Sequence, residues 1–330
     1  METTLPDETK PVEPQPERPP TLEVVLEDGS SRDLGGLSGD ELRLLQWEQE
    51  RLFARRILDS PKGSSQRADA LCHAYDTVNR IVGARMAVAS GGALDEPPVL
   101  GLDARHEQLT FRLLSRWRAA GVQPRFFEVG YGNGVLMRYL SERGFPVAGI
   151  EASASMRKHA CTLLGPDHEQ ALLLGDFLSA ELAGSGRGYH LVYWNDVFEH
   201  IPPDEVLDYL RKIHDLLVPG GQLVTITPNW HTRPSDVTGD VCRPRTEAAG
   251  LHLKEYTLRE VTGLLRRAGF THVSTPMVVV PGRIVLCGNG LAGCKRFFEP
   301  WLEWLPFRLA RLLCRGFGLD CTMATKGMSP

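Results

Sequence analysis

Three glycines at alternate positions, Gly130, Gly132 and Gly134, follow directly on the apolar run Arg125-Phe-Phe-Glu-Val129 and lead into Val135-Leu-Met-Arg-Tyr-Leu140. A strand should end there, the chain should turn tightly, and a helix should begin. Glycine permits such a turn and lets another molecule approach the backbone closely. The start of the helix adds N–H groups without intrahelical partners. The dinucleotide fingerprint GxGxxG shares the first two glycines. Here the third comes one residue early, and Val135 holds the place reserved for Gly or Ala, which argues against a nicotinamide cofactor.

Strand and helix patterns alternate around this turn. A helix is expected from Glu107 to Ala120, and strands at Arg125–Val129, Val147–Glu151, Ala171–Gly175 and Tyr189–Trp194. Further helices are expected over Ser155–Leu164 and Asp204–Leu217, the latter with Val206, Leu207, Leu210, Ile213 and Leu217 on one face. Gly220-Gly221 turns into a strand at Gln222–Thr227. Thr257-Leu-Arg-Glu260 is a capping box whose helix ends at Gly269, and a strand follows at His272–Val280. This alternation predicts a parallel sheet covered on both faces. Ahead of it, Leu22 to Ser30 reads as a small hairpin, Ser38-Gly-Asp-Glu41 caps a helix reaching about Leu58, and Ser64 or Ser65 opens another. Ser90-Gly-Gly and Pro97-Pro98 bracket a linker. The expected organisation is a tail at 1–20, a helical region at 21–95 and a larger domain at 96–330.

Composition removes several classes. Lys plus Arg is 37 and Asp plus Glu 41, a net charge of −4, whereas a general nucleic-acid binder carries a basic excess. No nucleic-acid partner is expected. Seven cysteines, with no CxxC spacing, make neither a disulfide framework nor a structural zinc site. Met1 to Pro20 holds six prolines, five acids and two bases, so it reads as an extended tail and not a secretory signal. The longest apolar stretch, Met277 to Gly293, is broken by Pro281 and Arg283. A reducing, cytoplasmic setting fits this usage best.

A strand ending in Glu128 and followed by GxGxG resembles the first motif of class I S-adenosylmethionine-dependent methyltransferases. The resemblance continues in order through Glu151, Gly175-Asp176-Phe177, Tyr189-His-Leu-Val-Tyr-Trp-Asn195-Asp196-Val-Phe-Glu199-His200, and Pro219-Gly-Gly-Gln-Leu-Val-Thr-Ile-Thr-Pro228-Asn229. The fourth and fifth of these look like the small-molecule branch of that family, which includes the ubiquinone-pathway O-methyltransferases. The resemblance spans about residues 104 to 280 and resumes at Cys321–Lys326. It implies an α/β, Rossmann-like sheet of seven strands in the order 3-2-1-4-5-7-6, with the last strand antiparallel. Gly282 to Gly318 then becomes an insertion between strands six and seven, and this inserted lid and the helical N-terminal region should cover the carboxyl ends of the strands.

The resemblance also implies a cofactor, S-adenosyl-L-methionine, and residues to bind it. Gly130, Gly132 and Gly134 would shape the loop beside the methionine portion, with Glu128 supporting it. Glu151 would accept the ribose hydroxyls, and Asp176 with Phe177 would meet the adenine. Asn195 and Asp196 end a central strand, where open α/β sheets bind ligands. Methyl transfer to oxygen or nitrogen can need a base, and His200, His252 and His231 are the candidates. Glu199 and His200 could hold a metal by resemblance to some ubiquinone-pathway enzymes. Two ligands are too few, and no metal is expected.

The expected function is transfer of a methyl group to a small-molecule acceptor, with oxygen favoured. The alternatives are a membrane-associated lipid or quinone methyltransferase and a non-catalytic partner subunit that keeps the fold. The insertion bears on the first alternative. It carries six bases against two acids, and six aromatic residues, Phe297, Phe298, Trp301, Trp304, Phe307 and Phe317. Residues 295–316 could therefore pack as a lid or contact a membrane surface or lipid.

Overall fold

The computed structural model of the chain describes residues 22–94, 98, 103–182, 188–280, 283–286 and 289–328. The tail expected at 1–20 and most of the linker near residue 96 lie outside these residues.

The hairpin β1 (Glu23–Val25) and β2 (Ser31–Asp33) precedes two long helices, α1 (Gly39–Asp59) and α2 (Ser65–Ser90). Ser38 and Glu41 cap α1 reciprocally, and the Ser64 hydroxyl accepts from the Arg67 amide at the start of α2. Both helices bury a face against each other and against Leu251, which has come from the far end of the chain.

Next come α3 (Ala104–Ala119), β3 (Phe126–Val129), α4 (Val135–Ser141), β4 (Val147–Glu151), α5 (Ala154–Leu164) and β5 (Leu172–Leu174). They are followed by β6 (Tyr189–Asn195), α6 (Val206–Leu216), β7 (Leu217–Ile226), the short α7 (Thr238–Val241), α8 (Leu258–Arg267) and β8 (Phe270–Ser274). A ribbon of β9 (Pro276–Val280) and β10 (Arg283–Leu286), then α9 (Asn289–Phe298), a 3-10 turn (Glu299–Trp304) and α10 (Phe307–Phe317), separate β8 from β11 (Cys321–Lys326).

Seven strands form one sheet in the order β5-β4-β3-β6-β7-β11-β8, and β11 runs antiparallel to both neighbours. In order of sheet strands along the chain this is 3-2-1-4-5-7-6, the arrangement expected from the sequence. The central strand β6 reads Tyr-His-Leu-Val-Tyr-Trp-Asn because both of its faces are covered. Leu191 and Tyr193 point to the layer of α3 and α4, and Val192 and Trp194 to that of α6 and α8.

Two expectations need correction. The single strand expected at His272–Val280 is two strands. Pro276 has no N–H to donate to a ladder, so β8 ends at Ser274 and β9 leaves the main sheet to pair with β10. The insertion therefore begins at Pro276 and not at Gly282. The strand expected from Gln222 begins at Leu217 and runs through Gly220 and Gly221, with an irregular register against β6.

Asp76 and Arg67 of α2, and Glu50 of α1, fix the two helices across the carboxyl ends of the strands. Asp76 Oδ1 accepts from the Ser155 amide (2.8 Å) and the Ser153 hydroxyl (3.0 Å) at the start of α5. The buried Arg67 guanidinium binds Asp204 (2.9 Å) and Glu205 (3.0 Å) ahead of α6. From α1, the buried Glu50 accepts from the Leu251 amide (3.1 Å).

Candidate active site

A cavity of about 480 Å³ lies at the carboxyl ends of β3, β4 and β6, beneath α2. This is where an open α/β sheet places its ligand, at the point where the strand order reverses. The turn after β3 forms its floor. The two outer glycines of that turn are there for packing. A Cβ on Gly130 would lie 2.5 Å from Val197 Cγ2, and one on Gly134 would lie 2.7 Å from Leu164 Cδ1. Gly132 differs. Nothing stands within 4 Å of its ideal Cβ, and it lines the cavity at a φ of +54°. Gly134 is not among the cavity-lining residues, although its neighbours Asn133 and Val135 are.

The acids lie around this turn. Glu151, at the end of β4, accepts from the Gly132 amide (2.8 Å) and the Ser153 amide (2.9 Å). Burial raises its pKa and these bonds oppose the rise. Glu128 is buried one strand away. One of its oxygens, Oε2, has no hydrogen-bond partner, and burial with the nearby Glu151 pushes its pKa well up. Asp176 accepts from the Tyr209 hydroxyl (2.5 Å) and the Ser179 amide (2.8 Å), so it caps a turn as well as lining the cavity. Phe177 lines the cavity and packs on Phe127 and Tyr209. Asn195, the last residue of β6, donates to Asp196 (3.2 Å), which follows with a positive φ of 51°.

The histidines separate. His231 is buried outside the cavity, 3.0 Å from Glu303 of the insertion. His200 and His252 both line the cavity, with ring centroids 4.7 Å apart. His200 Nδ1 bonds the Leu251 carbonyl (2.9 Å), and burial, then His252, push its pKa down to about 3. It is therefore a neutral imidazole with Nδ1 protonated and Nε2 free to accept. Burial opposes a charge on His252 too. Its bond to Glu255 (2.9 Å) and the nearby Glu199 and Asp236 outweigh that and raise its pKa to about 9. Glu199 is buried 3.9 Å from His252 Nε2, and burial with the neighbouring Asp196 raises its pKa. One donor atom each of Glu199, His200 and His252 lies within 4.8 Å of the other two, a three-residue group that could hold a metal ion. From the sequence only Glu199 and His200 were visible as a pair. His252 joins them through the loop after β7.

The structure adds residues that had no motif. Tyr75, Val78, Asn79, Val82 and Arg85 of α2 line the cavity, and so do Asp236 and Asp240. Tyr75 meets His200 edge to face at 5.5 Å. The signal was present as polar residues set at helical spacing within the apolar face of α2. Of the two elements expected to cover the strand ends, α2 lines the cavity, and no described residue of α9, the Glu299–Trp304 turn or α10 does.

Residues 102–275 match a family model described as a methyltransferase domain. The chain belongs to this methyltransferase family. A ubiquinone biosynthesis O-methyltransferase of Ruegeria pomeroyi is 32% identical over 160 residues, which cover 45% of this chain and 60% of that protein. An uncharacterized methyltransferase of Geobacillus thermodenitrificans is 38% identical over 98 residues, 29% of this chain and 43% of that protein. The chain thus spans less than two thirds of the length of these relatives. The magnesium protoporphyrin IX methyltransferase of Synechocystis PCC 6803 overlays with a TM-score of 0.40 at 14% identity, covering 83% of this chain and 93% of that one.

The cavity residues fit S-adenosylmethionine, the cofactor that the sequence resemblance implies for this methyltransferase. That cofactor carries an ammonium group and two ribose hydroxyls. The partnerless Glu128 oxygen is a buried acceptor of the kind a cation can satisfy, and Glu151 retains lone pairs beyond its two amide bonds. The open space over Gly132 is the approach that a Cβ would fill. No described helix is long and apolar enough to cross a membrane.

Proposed function

We propose that this methyltransferase transfers a methyl group to a hydroxyl oxygen of a small-molecule acceptor held between the glycine turn and α2. The observation that carries the reading is the continuity of one cavity from Gly132 and Glu151 to His200 and Tyr75. In this reading Glu128, with the turn at Gly130, Gly132 and Gly134, holds the methionine portion. Glu151 holds the ribose, Asp176 and Phe177 meet the adenine, and Asn195 lies beside the reacting centre. S-adenosylmethionine supplies a methyl group on a positively charged sulfur, ready for in-line displacement.

The protein's contribution is position and proton handling. Tyr75, Asn79 and Arg85 orient the acceptor from above. His200 Nε2 takes the hydroxyl proton as the oxygen–carbon bond forms and the sulfur–carbon bond breaks, with the electron pair leaving on sulfur. The preference for His200 over His252 follows from charge. A histidine with its pKa at about 9 is already protonated near neutrality and cannot accept. His252 instead positions Glu199 and the loop after β7.

The test is incubation with methyl-labelled S-adenosylmethionine and paired acceptors differing only in hydroxyl against amine. Label on oxygen, reduced at least about tenfold in His200→Ala with donor affinity unchanged, is the expected result. Label on nitrogen or carbon alone overturns the oxygen assignment. Full activity of His200→Ala overturns the base.

A further inference from the structure

The insertion presents a face that no described part of the chain covers. Phe297, Trp301 and Trp304 are 64%, 60% and 89% exposed, and Phe298, Leu309 and Leu312 are exposed beside them. This is not a loosely held segment. Leu302, Ala310 and Cys314 bury the opposite face against Leu258 and Leu319. The buried Glu299 accepts from the Leu258 amide (2.5 Å) and caps α8, and the Lys295 ammonium bonds the Pro276 and Phe317 carbonyls. The exposed rings are ordered among themselves. Phe297 and Phe298 meet edge to face at 5.1 Å, and Phe298 and Trp301 at 5.2 Å.

The charge of this face has one sign. The insertion has two acids, and both are turned to internal use. Glu299 is buried, and Glu303 is bound by Arg233, Arg245 and His231. Arg308, Arg311 and Arg315 stay exposed along α10, with Arg315 also reaching Asp103 (3.3 Å). A chain of net charge −4 therefore carries a positive, aromatic island. Aromatic rings that prefer the water–hydrocarbon boundary, beside guanidinium groups that pair with phosphate, complement an anionic lipid surface. A second copy of the chain is a poorer occupant, because a two-fold contact through this face would bring the same three arginines to both sides.

We propose that α9, the Glu299–Trp304 turn and α10 form a docking surface for an anionic bilayer. Phe297, Phe298, Trp301 and Trp304 enter the interfacial layer, and Arg308 and Arg311 bind headgroup phosphates. The surface is coupled to the cavity. Glu303 grips His231 and Arg233, which open the segment that supplies Asp236 and His252 to the cavity wall.

The test is flotation of the full chain with phosphatidylcholine vesicles and with vesicles containing about 30% phosphatidylglycerol, an anionic lipid. Wild type should bind the anionic vesicles at least about tenfold more strongly and lose that binding as salt rises. Trp301→Ser with Trp304→Ser should abolish binding to both. Arg308→Gln with Arg311→Gln should reduce anionic binding to the neutral level. All four sites are exposed, and donor affinity measured by calorimetry should stay at the wild-type value in both variants, which separates loss of docking from loss of the fold. Wild type that leaves anionic vesicles unbound, or variants that bind them undiminished, overturns the proposal. A concentration-dependent dimer that the tryptophan variant abolishes also overturns it, in favour of an interface between copies.

Discussion

Gly132 and Gly134 are two residues apart in one motif, and an added methyl should affect them differently. Both have positive φ, +54° and +82°, so alanine costs about 1–2 kcal/mol of backbone strain at either site. At Gly132 that is the whole stability cost, since the new Cβ has nothing within 4 Å. At Gly134 the methyl would lie 2.7 Å from Leu164 Cδ1 and 3.0 Å from Ala160 Cβ on α5. Overpacking there adds about 1–3 kcal/mol, for a total of about 2–5 kcal/mol. That is a large share of the roughly 5–15 kcal/mol that holds a domain together. For donor binding the order reverses. The Gly132 methyl would occupy the approach to the cavity floor, and the dissociation constant should rise at least about tenfold, about 1.4 kcal/mol. Urea unfolding of ligand-free protein reads the first quantity, and calorimetric titration with S-adenosylmethionine reads the second. The reasoning fails if Gly132→Ala binds the donor as tightly as wild type, or if it loses as much stability as Gly134→Ala.

Other outcomes follow from the same geometry. Arg67→Met removes the partner of the buried Glu205 and should cost about 3 kcal/mol, seen as a lower urea midpoint; an unchanged midpoint would mean that the pair holds nothing. The raised pKa values of His252, at about 9, and of Glu199 mean that the folded state binds more protons than the unfolded chain. The contribution of His252 is full below the ordinary histidine value and is lost as pH rises to about 9, while that of Glu199 is full only below the ordinary glutamate value and declines from there; stability should therefore fall as pH rises from about 6.5 to about 9, and His252→Gln should flatten the fall. His200, pushed down to about 3, acts in the opposite sense. The unfolded chain takes up its proton first, so stability should also drop as pH falls below about 6.5. Tyr75→Ala, on the acceptor side of the cavity, should raise the acceptor KM at least about tenfold and leave donor affinity within about threefold; a shift in donor affinity alone would put Tyr75 in the wrong half of the cavity.

Much of the sheet was legible because its signals are local. Val147–Glu151 was read to the residue from the strand and helix pattern, Cys321–Lys326 from the family resemblance, and the Ser38 and Thr257 capping boxes located two helix starts. The break at Pro276 was missed because the apolar pattern continues through the proline, and only the ladder shows that its residues change partners there. The acceptor side of the cavity was missed for a different reason. Tyr75 and Asn79 carry no motif, and what makes them cavity residues is the placement of α2 by Asp76 and Arg67, and of its partner α1 by Glu50.

The strand–turn–helix geometry at Gly130 to Gly134, the acids at the ends of the first two sheet strands and the family are all written in the local sequence. All of these rest on neighbours close along the chain. Which glycine faces the cavity, which histidine is charged and which face of the insertion is left bare are set by packing once the chain has folded. Each of these depends on groups distant in sequence. Leu164 crowds Gly134, Glu255 and Glu199 stabilise the proton on His252 while the Leu251 carbonyl accepts from His200, and Leu258 takes the inner face of the insertion. Close packing and burial of charge act between neighbours in space, and no local pattern records them.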